Sequence, residues 1–124
     1  MLANYSIHAT LPATDLERAK RFYSEKLGLT AESEEPEGIF YRSGDTHFLV
    51  FPSGGTASGA HTQLSWTVDD LETEVAALKA RGVIFEEYDL PSLSTVNGVA
   101  SMGPIKIAWI KDSEGNLLSV AQLV

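Results

Sequence analysis

The chain has 124 residues, of which 44% are hydrophobic and 21% charged, and this composition is typical of one ordinary globular domain. Its 17 acidic and 9 basic residues give a net charge of −8, which argues against nucleic acid or an anionic membrane as a partner and would suit a cationic ligand. There is no cysteine, so disulfides and thiolate chemistry are excluded. Because no apolar run approaches the roughly 20 residues that span a bilayer, and no signal peptide is evident, we expect a cytoplasmic protein.

The first half of the chain opens on an alternating stretch, "SIHATL", which predicts a β-strand. Its apolar side chains point to one face and its polar side chains to the other. The apolar set is Ile7, Ala9 and Leu11, and the polar set is Ser6, His8 and Thr10. In a sheet buried on one face, His8 therefore lies on the face opposite the core.

A helix is predicted directly after this strand, in "TDLERAKRFYSEKLGL". Thr14 and Glu17 have capping-box spacing, apolar residues recur at helical spacing, and Gly28 supplies a left-handed stop. The runs "LTAESE", "GIFYRSG" and "THFLVFP" follow as predicted strands, with "SGD" as the hairpin turn between the last two. The order is therefore β-α-β-β-β.

The second half repeats this order. Gln63 corresponds to His8, because each lies seven residues before an Asp near the start of a helix. The second helix, in "VDDLETEVAALKARGV", has Asp69 and Glu72 at its start and Gly82 as its stop. The runs "VIFEEY", "IKIAWIKD" and "NLLSVAQLV" are predicted strands, with "SEGN" as the last turn.

The duplication, at an offset of about 55 residues, predicts two similar units that share one core. We place module one at about residues 4–53, a Gly-rich linker at about 54–61 and module two at about 62–124, within a single domain over residues 1–124. The expected class is α+β, with helices on the outer face of the sheet and a pocket on the concave face. The polar side chains expected on the concave face are Ser6, His8, Thr10, Gln63, Ser65 and Thr67.

Several further residues are either pocket lining or core, namely Phe48, Val50, Tyr88 and Trp109. An aromatic-lined cavity with few polar groups is a common small-molecule site. Residues 88–106 form a long stretch rich in Ser, Gly and Pro, which is either a functional lid or an ordinary long hairpin. The sequence leaves both questions open.

The motif H-x6-D-L-x5-FY-x4-LG that begins at His8, together with "KDSEGN" before the last strand, resembles the vicinal oxygen chelate superfamily. This superfamily includes glyoxalase I, extradiol dioxygenases, methylmalonyl-CoA epimerase, fosfomycin-resistance transferases and bleomycin-resistance proteins. The resemblance implies two tandem βαβββ modules that form a cupped eight-stranded mixed sheet, and it implies a homodimer. It does not choose among the functions.

In metal-dependent members the ligands come from the first and last strands of each module, with His or Gln on the first and usually Glu on the last. His8 and Gln63 match the first-strand positions. Ser119 stands where Glu is expected, and "THFLVFP" contains no acid, although its His47 is a further candidate donor. Two neutral donors do not offset the desolvation of a divalent ion, so we expect no metal cofactor.

The expected function is therefore the binding of a small organic molecule, for which the acidic surface favours a cation. The candidate ligand-binding residues are His8, Thr10, Phe48, Val50, Gln63, Ser65, Tyr88, Trp109 and Ser119. No catalytic residue is assigned, because His8 as a general base lacks a neighbouring carboxylate to orient it. The alternative is a glyoxalase- or dioxygenase-like metalloenzyme with His8 and Gln63 as ligands. A third interpretation is a structural or partner-binding module whose concave side is packed shut.

Overall fold

The computed structural model describes residues 1–123 and contains the predicted duplication. After a 3₁₀ turn at Leu2–Asn4, module one consists of β1 (Ala9–Ala13), α1 (Leu16–Arg21) with a π-helical continuation (Phe22–Lys26), β2 (Ala31–Glu35), β3 (Gly38–Ser43) and β4 (Thr46–Pro52). Module two consists of β5 (Thr62–Thr67), α2 (Leu71–Ala80), β6 (Asp89–Leu90), β7 (Leu93–Val96), β8 (Val99–Met102), β9 (Ile105–Lys111) and β10 (Leu117–Leu123). Val124, the last residue of the predicted final strand, lies outside the described residues.

The strands form two sheets, one for each module. Their orders are β1-β4-β3-β2 and β5-β10-β9-β8-β7-β6. β1 and β5 each pair in parallel with the last strand of their own module, and the remaining pairs are antiparallel. The α+β class is thus confirmed. The predicted eight-stranded sheet is not confirmed, because the described residues form a four-stranded and a six-stranded sheet whose edge strands β1 and β5 contact each other.

The additional strands come from residues 88–106. This segment forms β6, β7 and β8, so the hairpin interpretation is the better description of its backbone. Asn97 and Gly98 both have positive φ, 54° and 86°, as the two central residues of a type I′ hairpin turn require. The run "VIFEEY" contributes only an isolated bridge between Phe85 and Ile110, because β8 occupies most of that edge of β9.

Both helices begin one residue later than predicted. Asp15 and Asp70 are the N-caps, and each accepts the backbone N–H three residues ahead, at 3.0 and 3.3 Å respectively. The predicted caps Thr14 and Asp69 are therefore wrong. The Thr14 hydroxyl instead donates to Glu114 at 3.4 Å, a contact with module two that the local sequence does not reveal.

One hydrophobic core lies between the sheets and the helices. Leu11 and Val50 pair across β1 and β4 and are both 0% exposed. The Tyr23 ring, from the helical segment, packs against Tyr41 and Phe48 with ring centroids 5.4 and 5.6 Å away. Each large apolar side chain buried in this way contributes roughly 1.5–3 kcal/mol to folding. No helix among residues 1–123 has the length and apolarity needed to cross a membrane.

Candidate ligand-binding site

The open face is the face of the two sheets that points away from the helices. Val50 is buried on the sheet face that meets the helices, and adjacent side chains of a strand point to opposite faces, so Leu49 points to the open face. Thr10 pairs with Leu49 across β1 and β4 and points the same way. Ser65 and Ser119 form the equivalent pair across β5 and β10 of module two. Corresponding positions of the two modules thus hold a Thr–Leu pair in module one and a Ser–Ser pair in module two.

Two histidines of module one lie at the start of strands β1 and β4. The exposed His8 ring contacts Phe40 edge-on, with ring centroids 5.7 Å apart. The Nδ1 atom of His47 lies 2.6 Å from a carboxylate oxygen of Glu32 on β2, and Arg42 approaches the same carboxylate at 3.8 Å. The structure therefore places an aromatic ring, and not a carboxylate, against His8, while His47 is engaged within its own sheet.

Module two contributes hydroxyls and aromatic rings to the open face. Ser119 Oγ donates to Ser65 Oγ at 2.7 Å. Trp109 pairs with Ser119 across β9 and β10, and its ring packs edge-to-face on Tyr88 with centroids 5.5 Å apart. Burial, followed by the nearby charge of Glu86, raises the pKa of Tyr88. The Tyr88 hydroxyl therefore stays protonated at neutral pH and can donate a hydrogen bond to a ligand.

Gln63 brings an unused acceptor to β5. Its side-chain oxygen Oε1 is buried and has no hydrogen-bond partner among residues 1–123. The preceding residue, Thr62, is engaged, because its hydroxyl accepts the Trp109 indole N–H at 3.1 Å. A buried amide oxygen without a partner loses the hydrogen bonds that it made to water. A ligand N–H or O–H that reached Gln63 would restore one of them.

A pocket of about 360 Å³, named the junction pocket, lies where β1, β4 and β5 meet. Three candidate ligand-binding residues line it, His8, Phe48 and Ser65, together with the further candidate donor His47 and with Leu64 and Trp66. The candidates that do not line it are Thr10, Val50, Gln63, Tyr88, Trp109 and Ser119. The predicted residues therefore divide between the junction pocket, the open face of module two and the core.

The question left open for Phe48 and Val50, pocket lining or core, has a structural answer. Both belong to the core, at 3% and 0% exposure, and Phe48 reaches the junction pocket only from the core side. Leu49 takes the open-face position instead, and the sequence analysis missed it. Because apolar residues occupy both faces of β4, alternation alone does not say which set is buried. The pairing of Leu49 with Thr10 across β1 and β4 identifies Leu49 as the open-face residue.

The donor set on the open face does not fit a catalytic divalent metal. The superfamily's first-strand ligand positions hold His8 and Gln63, and the equivalent last-strand positions hold Leu49 and Ser119. His47, two residues before Leu49 on β4, is engaged by Glu32. Leu49 has no donor atom, and the Ser119 hydroxyl is bonded to Ser65. Among the described residues, no group of three or more His, Asp or Glu side chains is placed to hold an ion. An imidazole, an amide and a hydroxyl bring no negative charge to such a site.

The acidic residues of "KDSEGN" connect the two modules. Asp112 accepts a hydrogen bond from the Tyr23 hydroxyl, and Asn116 donates to a β1 carbonyl at 3.0 Å. Glu114 pairs with Arg18 at an Nε–Oε2 distance of 2.8 Å, and hydrogen bonding by Arg18 is the main cause that lowers the pKa of Glu114 to about 2. These carboxylates are committed to the interior contacts between the modules, away from the open face.

Two βαβββ modules whose first strands meet at the centre define a protein of the vicinal oxygen chelate class. The sequence profile of the Glyoxalase/Bleomycin resistance protein/Dioxygenase superfamily matches residues 6–120, and the chain belongs to this superfamily. No curated protein matches the chain by sequence.

Solved structures with the same fold bear names of different functions. A glyoxalase/bleomycin resistance protein/dioxygenase from Alicyclobacillus acidocaldarius is 22% identical, with a TM-score of 0.73 over 97% of this chain and 92% of that one. A lactoylglutathione lyase from Agrobacterium tumefaciens is 23% identical, with a TM-score of 0.63 over 95% and 92%. The fosfomycin resistance protein FosX from Listeria monocytogenes is 11% identical, with a TM-score of 0.72 over 97% and 93%. At these identities the likeness shows the fold alone.

Proposed function

We propose that this protein binds a small organic molecule at its open face and junction pocket without a tightly held catalytic metal. The observation that carries the proposal is the set of side chains at the four metal-ligand positions, His8, Leu49, Gln63 and Ser119. A divalent ion leaving water needs anionic or several imidazole ligands, and this set supplies one imidazole and no carboxylate. The same side chains suit an organic ligand, which needs a few polar contacts beside apolar walls.

The chemistry of the face favours a ligand with an aromatic or apolar body and hydrogen-bonding groups. Trp109 and Tyr88 offer aromatic surface, the Ser65–Ser119 pair offers hydroxyls, and the unpartnered oxygen of Gln63 accepts from a donor. The net charge of −8 adds a field that attracts cations. A cationic ligand with N–H donors therefore fits this face better than an anionic one.

Metal analysis of the purified protein is the first test. We expect protein purified without added metal to contain far less than one equivalent of nickel, zinc, manganese or iron by mass spectrometry. Addition of each ion should produce no stoichiometric heat in isothermal titration calorimetry. One bound equivalent that survives dialysis would overturn the proposal. Turnover of a hemithioacetal or a catechol, lost on His8→Ala and on chelation, would establish the metalloenzyme in its place.

A gain-of-function variant makes the metal test sharper. If missing carboxylates are what disfavour the ion, then Leu49→Glu with Ser119→Glu should create a site with His8 and Gln63. We expect this double variant to bind one equivalent of Ni²⁺ or Zn²⁺ by calorimetry, where the unmodified protein binds none. The matched control carries His8→Ala and Gln63→Ala in addition and should lose the binding. Equal binding by the unmodified protein would refute the reasoning.

Ligand preference is testable with probes of opposite charge. Metal-free bleomycin is cationic, and fosfomycin is a small anion. We expect bleomycin to quench the tryptophan fluorescence, to which Trp66 and Trp109 contribute, in a saturable manner and fosfomycin to leave it unchanged, and we expect Gln63→Leu to weaken the bleomycin effect. Preference for the anion would contradict the charge argument.

The homodimer is part of the proposal, supported by the exposed apolar side chains of Leu2, Tyr5 and Ile7, and light scattering of the purified protein tests it.

A further inference from the structure

A second pocket lies on the helix side of the molecule, remote from the open face. It has a volume of about 130 Å³ and opens between the segment after the first helix and helix α2. Its hydrocarbon walls come from Leu27, Leu29, Val68, Leu78, Ile110 and Val120. Ile110 and Val120 are 0% and 4% exposed and form the floor, which is part of the common core. We name it the interhelix pocket.

The size and lining of the interhelix pocket match a known kind of ligand site. Protein interiors are close-packed, and holes much larger than one water molecule are few. An engineered apolar cavity of about 150 Å³ in another protein stays dry and binds benzene. Water inside such a pocket would find few hydrogen-bond partners, whereas a hydrocarbon ring would gain dispersion contacts with every wall.

A single carboxylate marks one side of the pocket. Glu74, in the first turn of α2, lines it together with the apolar walls, and the six ion pairs found among residues 1–123 do not include Glu74. Asp70 and Glu72 near the start of the helix are also acidic, but Glu72 pairs with Lys106 at 3.6 Å and the Arg81 guanidinium lies beside Gly28, so Glu74 is the carboxylate that the pocket itself offers. A positively charged group beside the pocket would be attracted by Glu74, and a negatively charged group would be repelled.

We propose that the interhelix pocket binds a single aromatic ring or a hydrocarbon group of similar size, and that it prefers a ring bearing an ammonium group that reaches Glu74. Apart from Trp66, the described residues that line this pocket differ from those that line the junction pocket, so probes on the unshared residues distinguish this proposal from the proposed function. Trp66 is the one residue that lines both this pocket and the junction pocket among the described residues. The Trp66 ring is therefore a wall of both pockets, and a ligand in either pocket would contact it.

Methyl NMR on the full chain separates the two pockets. Toluene and benzylamine are titrated into protein labelled at Leu, Val and Ile methyl groups. We expect saturable shifts for methyls of Val68, Leu78 and Ile110, with the Leu64 methyls shifting far less, because Leu64 lines only the junction pocket. Shifts confined to Leu64, or no saturable shift with either probe, would overturn the proposal.

Variants then test the walls and the charge. Leu29→Phe should fill the pocket and weaken binding of both probes by about tenfold or more, while Ile84→Phe, at an exposed position outside the pocket, should leave both unchanged. Leu78→Phe is a second filling variant if Leu29→Phe does not fold. Glu74→Gln should weaken benzylamine about threefold and leave toluene unaffected. Equal weakening of both probes by Glu74→Gln, or none by either filling variant, would contradict the proposal.

Discussion

The turns that close the last hairpin of each module occupy equivalent places in the repeat but have opposite surroundings. In module one, the β3–β4 turn around Gly44 and Asp45 is exposed, and the nearby contact with module two is a hydrogen bond from the Trp66 indole to Ser43 at 2.8 Å. In module two, the β9–β10 turn is buried. Its polar residues Asp112, Glu114 and Asn116 are 6%, 7% and 0% exposed.

The buried turn is stable because hydrogen bonds satisfy the carboxylates of Asp112 and Glu114. Asp112 accepts the backbone N–H groups of Glu114 and Asn116 at 2.8 and 2.9 Å, the Asn116 amide at 2.8 Å and the Tyr23 hydroxyl. Glu114 receives two hydrogen bonds from Arg18, at 2.8 and 3.0 Å. Charges buried without such partners would destabilise the fold by several kcal/mol. The two hairpins therefore differ in role. The module-one turn is exposed to solvent, and the module-two turn makes the polar contacts that hold module two against module one.

The largest expected effect is that of Asp112→Ala. It leaves the Tyr23 hydroxyl and several buried N–H groups without an acceptor, so we expect a loss of about 3–5 kcal/mol in the free energy of unfolding. The matched control is Asp45→Ala in the exposed turn, which should change stability by less than about 0.5 kcal/mol. Urea unfolding followed by circular dichroism measures both. Similar losses at the two positions would mean that the turns are energetically equivalent.

The next effect concerns pH. Because the pKa of Glu114 in the folded protein, about 2, lies below the ordinary value of 4.5, protonation favours the unfolded chain. The stabilisation is complete above about pH 5 and is lost as the pH falls from there towards 2.

Glu114→Gln should remove most of this stabilisation and flatten the dependence of stability on pH between 5 and 3. Glu37→Gln, an exposed carboxylate in the β2–β3 turn, is the control and should leave the dependence intact. Urea unfolding at pH 7, 5, 4 and 3 tests the prediction. An unchanged slope in Glu114→Gln would show that another carboxylate is responsible for acid unfolding.

The features predictable from the sequence are those set by local patterns. Period-two alternation, helical spacing and the Asp-Leu helix starts identify the two modules and the class of fold, because each pattern reflects neighbours within a few residues. Thr14 illustrates the limit, since Thr14 and Asp15 can both cap a helix. Asp15 caps the helix, and Thr14 instead contacts Glu114, which is about a hundred residues away in the chain. Likewise, nothing local indicates that the acids of "KDSEGN" are buried.

The candidate site shows the same limit. The positions of His8, Ser65 and Ser119 follow from alternation on strands with one polar face. The sequence leaves Phe48 and Val50 open between pocket lining and core because β4 is apolar on both faces, and only its pairing with β1 decides which face meets the helices. The Asn97-Gly98 pair is a hairpin signal in the sequence itself, which the sequence analysis treated only as part of a long segment.

The smallest predicted effect isolates the exposed turn's own contact with the other module. Ser43→Ala removes the acceptor of the partly buried Trp66 indole N–H, so we expect a loss of about 1 kcal/mol, with Ser92→Ala in the exposed β6–β7 turn as the control. Combined with Asp112→Ala, the loss should be additive within about 0.5 kcal/mol if the two turns act independently. A combined loss clearly smaller than the sum would mean that both contacts report one event, the docking of the modules. Urea unfolding of the single and double variants distinguishes these outcomes. If Asp112→Ala already separates the modules, the Trp66–Ser43 hydrogen bond is already broken, and Ser43→Ala then costs no further stability.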